Sequence, residues 1–172
     1  MHQTPVRAAL LTAALFIAGL LTTGCTEASP AVVYVVRHAE KATTPAGDPT
    51  LTAAGEARAQ SLADKLGDKA IVGIYSTDTT RTQSTAAPLA AKVGLPVVSY
   101  SVTEDLVARV RTTPQDKVVV IVGHSNTVPL ILTEFGAETP AEIAAGIPHE
   151  EYDNLYMLQL SGPKPALTAL KF

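Results

Sequence analysis

The chain has 172 residues, 47% of them hydrophobic and 17% charged, a composition that fits one globular domain with a sizeable core and excludes disordered, collagen-like and coiled-coil organisations. A formal net charge of −3 supplies no basic field for nucleic acid or an anionic membrane surface, so any anion must be held locally. The single cysteine excludes both an intramolecular disulfide framework and a four-cysteine zinc site.

Arg7 is the only charged residue before an apolar run from Ala8 to Leu21, which is followed by Thr22, Thr23, Gly24 and Cys25. At about 1.5 Å per residue the run makes roughly 21 Å of helix, short of the roughly 30 Å hydrocarbon core of a bilayer. The layout predicts a signal peptide over residues 1–24. With a small residue directly before Cys25, the segment resembles a bacterial lipoprotein signal, although Thr22 stands where a leucine is usual. That resemblance implies acylation of Cys25 as the mature first residue, and a protein exported to the periplasm or cell envelope and tied to a membrane only through its lipid. The alternative is ordinary secretion, with cleavage near Ala28 or Ala31.

Residues 25–30 form a short linker, and residues 31–172 the domain. Ala31–Val36, Ile71–Tyr75 and Val118–Val122 are continuous apolar runs of the kind buried on both faces of a parallel sheet, with a shorter strand at Pro96–Tyr100. Helical patterns lie between and after them, at Thr52–Leu66, Thr79–Val93 (closed by Gly94), about Glu104–Arg111 and Thr127–Phe135 (closed by Gly136). Leu155–Leu160 and Ala166–Phe172, flanking Ser161–Pro165, predict a hairpin at one sheet edge. The expected fold is a three-layer α/β/α domain with a mainly parallel central sheet and an antiparallel C-terminal edge hairpin.

Arg37-His38-Ala39-Glu40 follows the first strand, and Gly123-His124-Ser125-Asn126 the third of the strong ones. The carboxyl ends of parallel strands are where ligands bind, so His38 and His124 converge on one crevice, with the loop Lys41–Pro49 beside it. His149 sits in a polar loop. Arg81 falls in the first turn of a helix, where a cation gains nothing from the helix dipole. Either it pairs with Asp78 on the surface, or guanidinium and free helix-terminal donors together hold a phosphate. Tyr152 and Tyr156 are expected to be half-buried strand or loop aromatics. Ser125 and Asn126 are possible pocket residues or simple helix caps. Glu40 and Lys41 line the pocket rim or solvate a loop.

The chain resembles the histidine phosphatase superfamily, the phosphoglycerate mutase-like proteins. The motifs that carry this are Arg37-His38-Ala39 (alanine where glycine is usual) followed by Glu40, Leu51-Thr52-Ala53-Ala54-Gly55, Ser76 to Ala86 around Arg81, and Gly123-His124-Ser125. The resemblance implies a phosphomonoester hydrolase in which His38 is the nucleophile and forms a phosphohistidine, while Arg37, Arg81 and a protonated His124 bind phosphate. It implies no metal and no cofactor. The resemblance places the general acid in the segment after the strand Pro96–Tyr100, at Glu104, with Asp105 as the rival. The substrate is a small phosphorylated molecule or a phosphoprotein. A silent phospho-ligand binding module of the same fold is the alternative. A mutase is disfavoured by the little length left for a closing lid, and a serine hydrolase by Thr127 where the nucleophile turn needs glycine.

Overall fold

A computed structural model describes residues 29–172. The predicted signal segment and Cys25 lie outside the described residues. The elements are β1 (Ala31–Arg37), α1 (Ala53–Leu66), β2 (Ile71–Thr77), α2 (Thr80–Val93), β3 (Val97–Tyr100), α3 (Thr103–Val110), β4 (Val118–Gly123), α4 (Thr127–Glu134), a 3-10 turn at Ala141–Ile143, β5 (Asn154–Leu160) and β6 (Ala166–Lys171). They form one six-stranded sheet in the order β3-β2-β4-β1-β5-β6. β1 to β4 are parallel, while β5 and β6 add antiparallel pairing at one edge.

Alternation along the central strands creates the three layers, because successive side chains leave opposite faces of a strand. Tyr34, Val36, Val120 and Val122 meet Leu62 and Leu66 of α1 and Leu89 of α2. Val33, Val35, Val119 and Ile121 meet Leu106 of α3 and Val128, Ile131 and Leu132 of α4. Every residue of β4 is buried, as its unbroken apolar run predicts. β2 departs from that expectation: Val72 is exposed, and the pairing register with β4 shifts between Ile71 and Gly73.

Element ends follow local chemistry. Thr52 caps α1 by accepting from the Gly55 amide (3.1 Å). Gly94 closes α2 at φ +71°, a conformation that costs glycine little. β1 and β4 lie side by side, with Arg37 opposite Gly123, and their chains leave toward helices on opposite faces, α1 and α4. A crevice opens at such a reversal point, beyond the strand ends.

Candidate active site

His38 and His124 are the first residues past β1 and β4, and the His38 amide donates to the Gly123 carbonyl (2.8 Å), which sets them level. Their rings lie 5.4 Å apart, edge to face, as the strand-end reading expects. Gly123 is needed for close approach: a Cβ there would lie 2.7 Å from Thr127 Oγ1 and 3.3 Å from the Tyr100 hydroxyl.

His38 is almost wholly buried, and its Nδ1 lies 2.8 Å from the Ala39 carbonyl. A carbonyl can only accept, so Nδ1 carries the proton and Nε2 the free lone pair. Burial, aided by the nearby charges of Arg37 and Arg81, lowers the His38 pKa to about 4, so the ring is neutral and nucleophilic at pH 7. His124 Nε2 lies 2.8 Å from Thr77 Oγ1, and its Nδ1 is 3.5 Å from Nη2 of Arg81. Burial first, then Arg81 and Arg37, also bring His124 to about 4. In the ligand-free site two guanidinium groups and low solvation disfavour a third cation at His124.

Arg37 is buried at the end of β1. Its Nη1 donates to the carbonyls of Pro148 (2.9 Å), His149 (3.1 Å) and Glu151 (3.0 Å), and the guanidinium lies 4.2 Å from the centre of the Tyr152 ring. Tyr152 also approaches His38, ring centres 6.2 Å apart. Tyr152 is the half-buried loop aromatic expected, and it walls the site beside His38. Tyr156, by contrast, is a buried core residue of β5. His149 itself is exposed, serving Arg37 only through its carbonyl.

Arg81 does not pair with Asp78, whose carboxylate instead accepts from Gln83 (2.9 Å). Its Nη1 makes long contacts to Asp48 Oδ1 (3.5 Å) and the Gly47 carbonyl (3.4 Å). The Nε atoms of both Arg37 and Arg81 are buried with no hydrogen-bond partner. Orphaned buried donors are costly, and two guanidinium groups beside an unprotonated histidine make a place for a tetrahedral anion. The start of α2 is not free as expected. Asp48 reaches across from the loop and accepts from the Thr80 amide (2.9 and 3.2 Å) and hydroxyl (2.7 Å). Its carboxylate complements the positive end of the helix, the role the sequence reading had left to substrate.

Glu40 does not merely solvate a loop. It binds Arg58 of α1 through both carboxylate oxygens, at 2.7 to 2.9 Å. Arg58 in turn donates to the Phe172 carbonyl (3.3 Å). The Glu40 carbonyl accepts from the Thr52 amide (2.9 Å), and a Cβ on Gly55 would lie 2.2 Å from that oxygen. The stretch Leu51 to Gly55 thus seats α1 directly against Glu40, two residues past His38. Ser125 accepts through its carbonyl from the Ile147 amide (2.9 Å). Asn126 is exposed and its side chain caps nothing; the Thr127 hydroxyl instead accepts from the His124 amide (2.7 Å).

Glu104 and Asp105 lie exposed in the first turn of α3. Among the described residues, neither bonds to Arg37, His38, Arg81 or His124. Asp105 helps line a cavity of about 160 Å³ with Tyr75, Ser99 and Tyr100. Tyr100 forms the wall between that cavity and Gly123, and burial pushes its hydroxyl up to about 12.

The pattern of the histidine phosphatase superfamily (branch 1) matches residues 33–107. No curated protein sequence is significantly similar to the chain. Solved structures are. SixA from Agrobacterium tumefaciens, assigned as a phosphohistidine phosphatase, is 23% identical and superposes at a TM-score of 0.62, over 83% of this chain and 99% of its own. The protein histidine phosphatase SixA in complex with tungstate is 16% identical, at a TM-score of 0.65 over 81% and 96%. A mycobacterial glucosyl-3-phosphoglycerate phosphatase is 16% identical, at 0.59 over 85% and 99%. At these identities the likeness is one of fold.

Proposed function

We propose that this chain, whose residues 33–107 match the histidine phosphatase superfamily (branch 1), is a metal-independent phosphomonoester hydrolase that works through a phosphohistidine. The observation that carries the reading is His38, neutral, with Nδ1 spent on the Ala39 carbonyl and Nε2 free beside two guanidinium groups that hold unpartnered donors. Nε2 attacks phosphorus in line with the leaving oxygen, the P–O bond breaks toward that oxygen, and water then cleaves the P–N bond and restores the imidazole. Arg37 and Arg81 neutralise charge on the phosphoryl oxygens. A bound phosphate dianion adds an attractive charge beside His124, which favours the protonated ring once substrate is present.

The leaving-group proton is assigned to a carboxylate at the start of α3. Asp105 is placed ahead of Glu104, because Asp105 shares a wall with Tyr100 and so with the β4 end of the site. An acid matters most when the leaving group is a poor one. Asp105→Asn should therefore slow an alkyl phosphate at least tenfold more than a nitrophenyl phosphate (about 1.4 kcal/mol,), and Glu104→Gln should not. Equal effects on both substrates would remove the assignment.

The substrate is a small organic phosphate or a phosphoprotein. The similar folds act on chemically different phosphates by their descriptions, so fold does not choose. The decisive experiment follows phosphate release from an aryl phosphate by the purified protein, between pH 4 and 8 with EDTA present. Wild type should turn over, and His38→Ala should lose at least about a thousandfold. Activity abolished by EDTA would overturn the metal-independent mechanism. Vanadate binding without turnover would favour the binding-module reading. We also propose that the protein is exported and acylated at Cys25, which intact mass of the mature protein tests.

A further inference from the structure

Helix α2 turns three residues toward the strand ends: Arg81, Thr82 and Thr85. Both threonines are wholly buried. Threonine is a mediocre helix former, and a buried hydroxyl must be hydrogen-bonded, so alanine would serve packing alone better at both positions. What the hydroxyls do follows from counting protons.

Thr85 Oγ1 donates its proton to the Arg81 carbonyl (2.7 Å) and accepts from the Ala39 amide (2.9 Å). One hydroxyl thus joins the helix turn that carries Arg81 to the backbone that carries His38. The Ala39 carbonyl, held in place by this anchor, is the acceptor of His38 Nδ1–H. Thr82 Oγ1 donates to the carbonyls of Thr77 (2.8 Å) and Thr79 (3.0 Å). It also lies within hydrogen-bond distance of the hydroxyls of Thr77 (3.0 Å) and Thr79 (2.8 Å), either of which can donate to it. With Thr77 donating to Thr82, Thr77 offers a lone pair to His124 Nε2, which then carries the hydrogen. The other side of the ring agrees, because His124 Nδ1 faces an Arg81 guanidinium that can only donate.

We propose that Thr82 and Thr85 are positioning residues that set the tautomers of His124 and His38 in opposite senses. His38 then presents Nε2 to substrate and His124 presents Nδ1. The tautomers stand on the hydrogen bonds alone; their catalytic consequence rests on the phosphatase reading above. Partners that hold a histidine tautomer from behind are commonly worth about 10- to 100-fold in activity.

The test is long-range 1H–15N correlation of the imidazoles at pH 7, together with kcat and KM on an aryl phosphate, for the full chain and for T85V, T85S, T82V and T82S. Wild type should show Nδ1–H at His38 and Nε2–H at His124. T85V should mix the His38 tautomers and lower kcat about 10- to 100-fold, with KM changed by less than about threefold. T82V should mix those of His124 alone and raise KM. Both serine variants should restore the wild-type pattern. Should a valine variant fail to fold, T85A or T82A removes the hydroxyl without added bulk. Valine variants that keep wild-type tautomers would overturn the proposal, as would serine variants that lose as much as valine. Tautomers that shift as stated in a protein whose wild type releases no phosphate would leave the positioning role standing and sink the phosphatase reading.

Discussion

The proposed attack of His38 on phosphorus requires an unprotonated ring, which burial favours by lowering the pKa from an ordinary 6.5 to about 4. The same shift is a statement about stability. Between pH 6.5 and 4 the unfolded chain binds a proton at this residue and the folded one does not, so unfolding becomes easier as the pH falls through that window. The loss is complete below pH 4 and amounts to roughly 3 kcal/mol, with no dependence above the unfolded value. His38→Asn should flatten that part of the curve, measured as the urea midpoint at pH 7 against pH 4.5. An equal slope in wild type and variant would show that other groups dominate. Arg37, His38, Arg81 and His124 were legible in the sequence because each stands at a fixed offset from a strand or helix end. Tyr152 was not, because its place over Arg37 depends on the path of residues 147–153, which no periodicity encodes. Thr77, Thr82 and Thr85 stood inside a quoted motif, but their roles lie in hydrogen-bond directions visible only in three dimensions.

At the scale of elements, two side chains fasten the first loop to its helices. Glu40 holds Arg58 bidentately with both side chains largely shielded, a geometry in which an ion pair contributes about 1 kcal/mol. Glu40→Gln should lower the urea-derived stability by about that amount while leaving kcat within about twofold, since the carboxylate faces α1. A large loss of kcat at unchanged stability would put Glu40 back in the pocket. Asp48 is the tether for the exposed tip of the loop, capping α2 and touching Arg81. An incoming phosphate competes with that carboxylate for Arg81. Asp48→Ala should therefore tighten vanadate inhibition about two- to fivefold, and speed proteolytic nicking within residues 43–48. Weaker inhibition would show that Asp48 orients Arg81 rather than competing for it. The helix start and the loop were each legible in the sequence. Their mutual capping was not, because 32 residues separate Asp48 from Thr80.

Across the whole molecule, the sheet order was open to reading only in part: the strands announce themselves by apolar runs, whereas β4 inserting between β1 and β2 is a property of the assembled sheet. The assembled sheet brings Arg37 and Arg81 to one crevice from segments far apart in the sequence, and it gives the two arginines unequal work. Arg37 holds three carbonyls of residues 148–151 and stacks on Tyr152, so it ties the chain before β5 to β1 even without ligand. Arg81 makes only contacts of 3.4 Å or longer. A ligand at 100 times its Kd adds about 2.7 kcal/mol to the stability of whatever binds it, which for a domain of this size raises Tm by roughly 5 to 10 °C. Wild type in excess vanadate should show that rise. Arg81→Ala should keep the ligand-free Tm within about 2 °C of wild type and lose the rise, having had little but ligand to hold. Arg37→Ala should lose the rise and lower the ligand-free Tm as well, because the partly buried bonds that tie residues 148–151 to β1 are lost. Equal ligand-free Tm values for the two variants would mean that residues 148–151 are held by their own backbone, and that Arg37, like Arg81, serves only the anion.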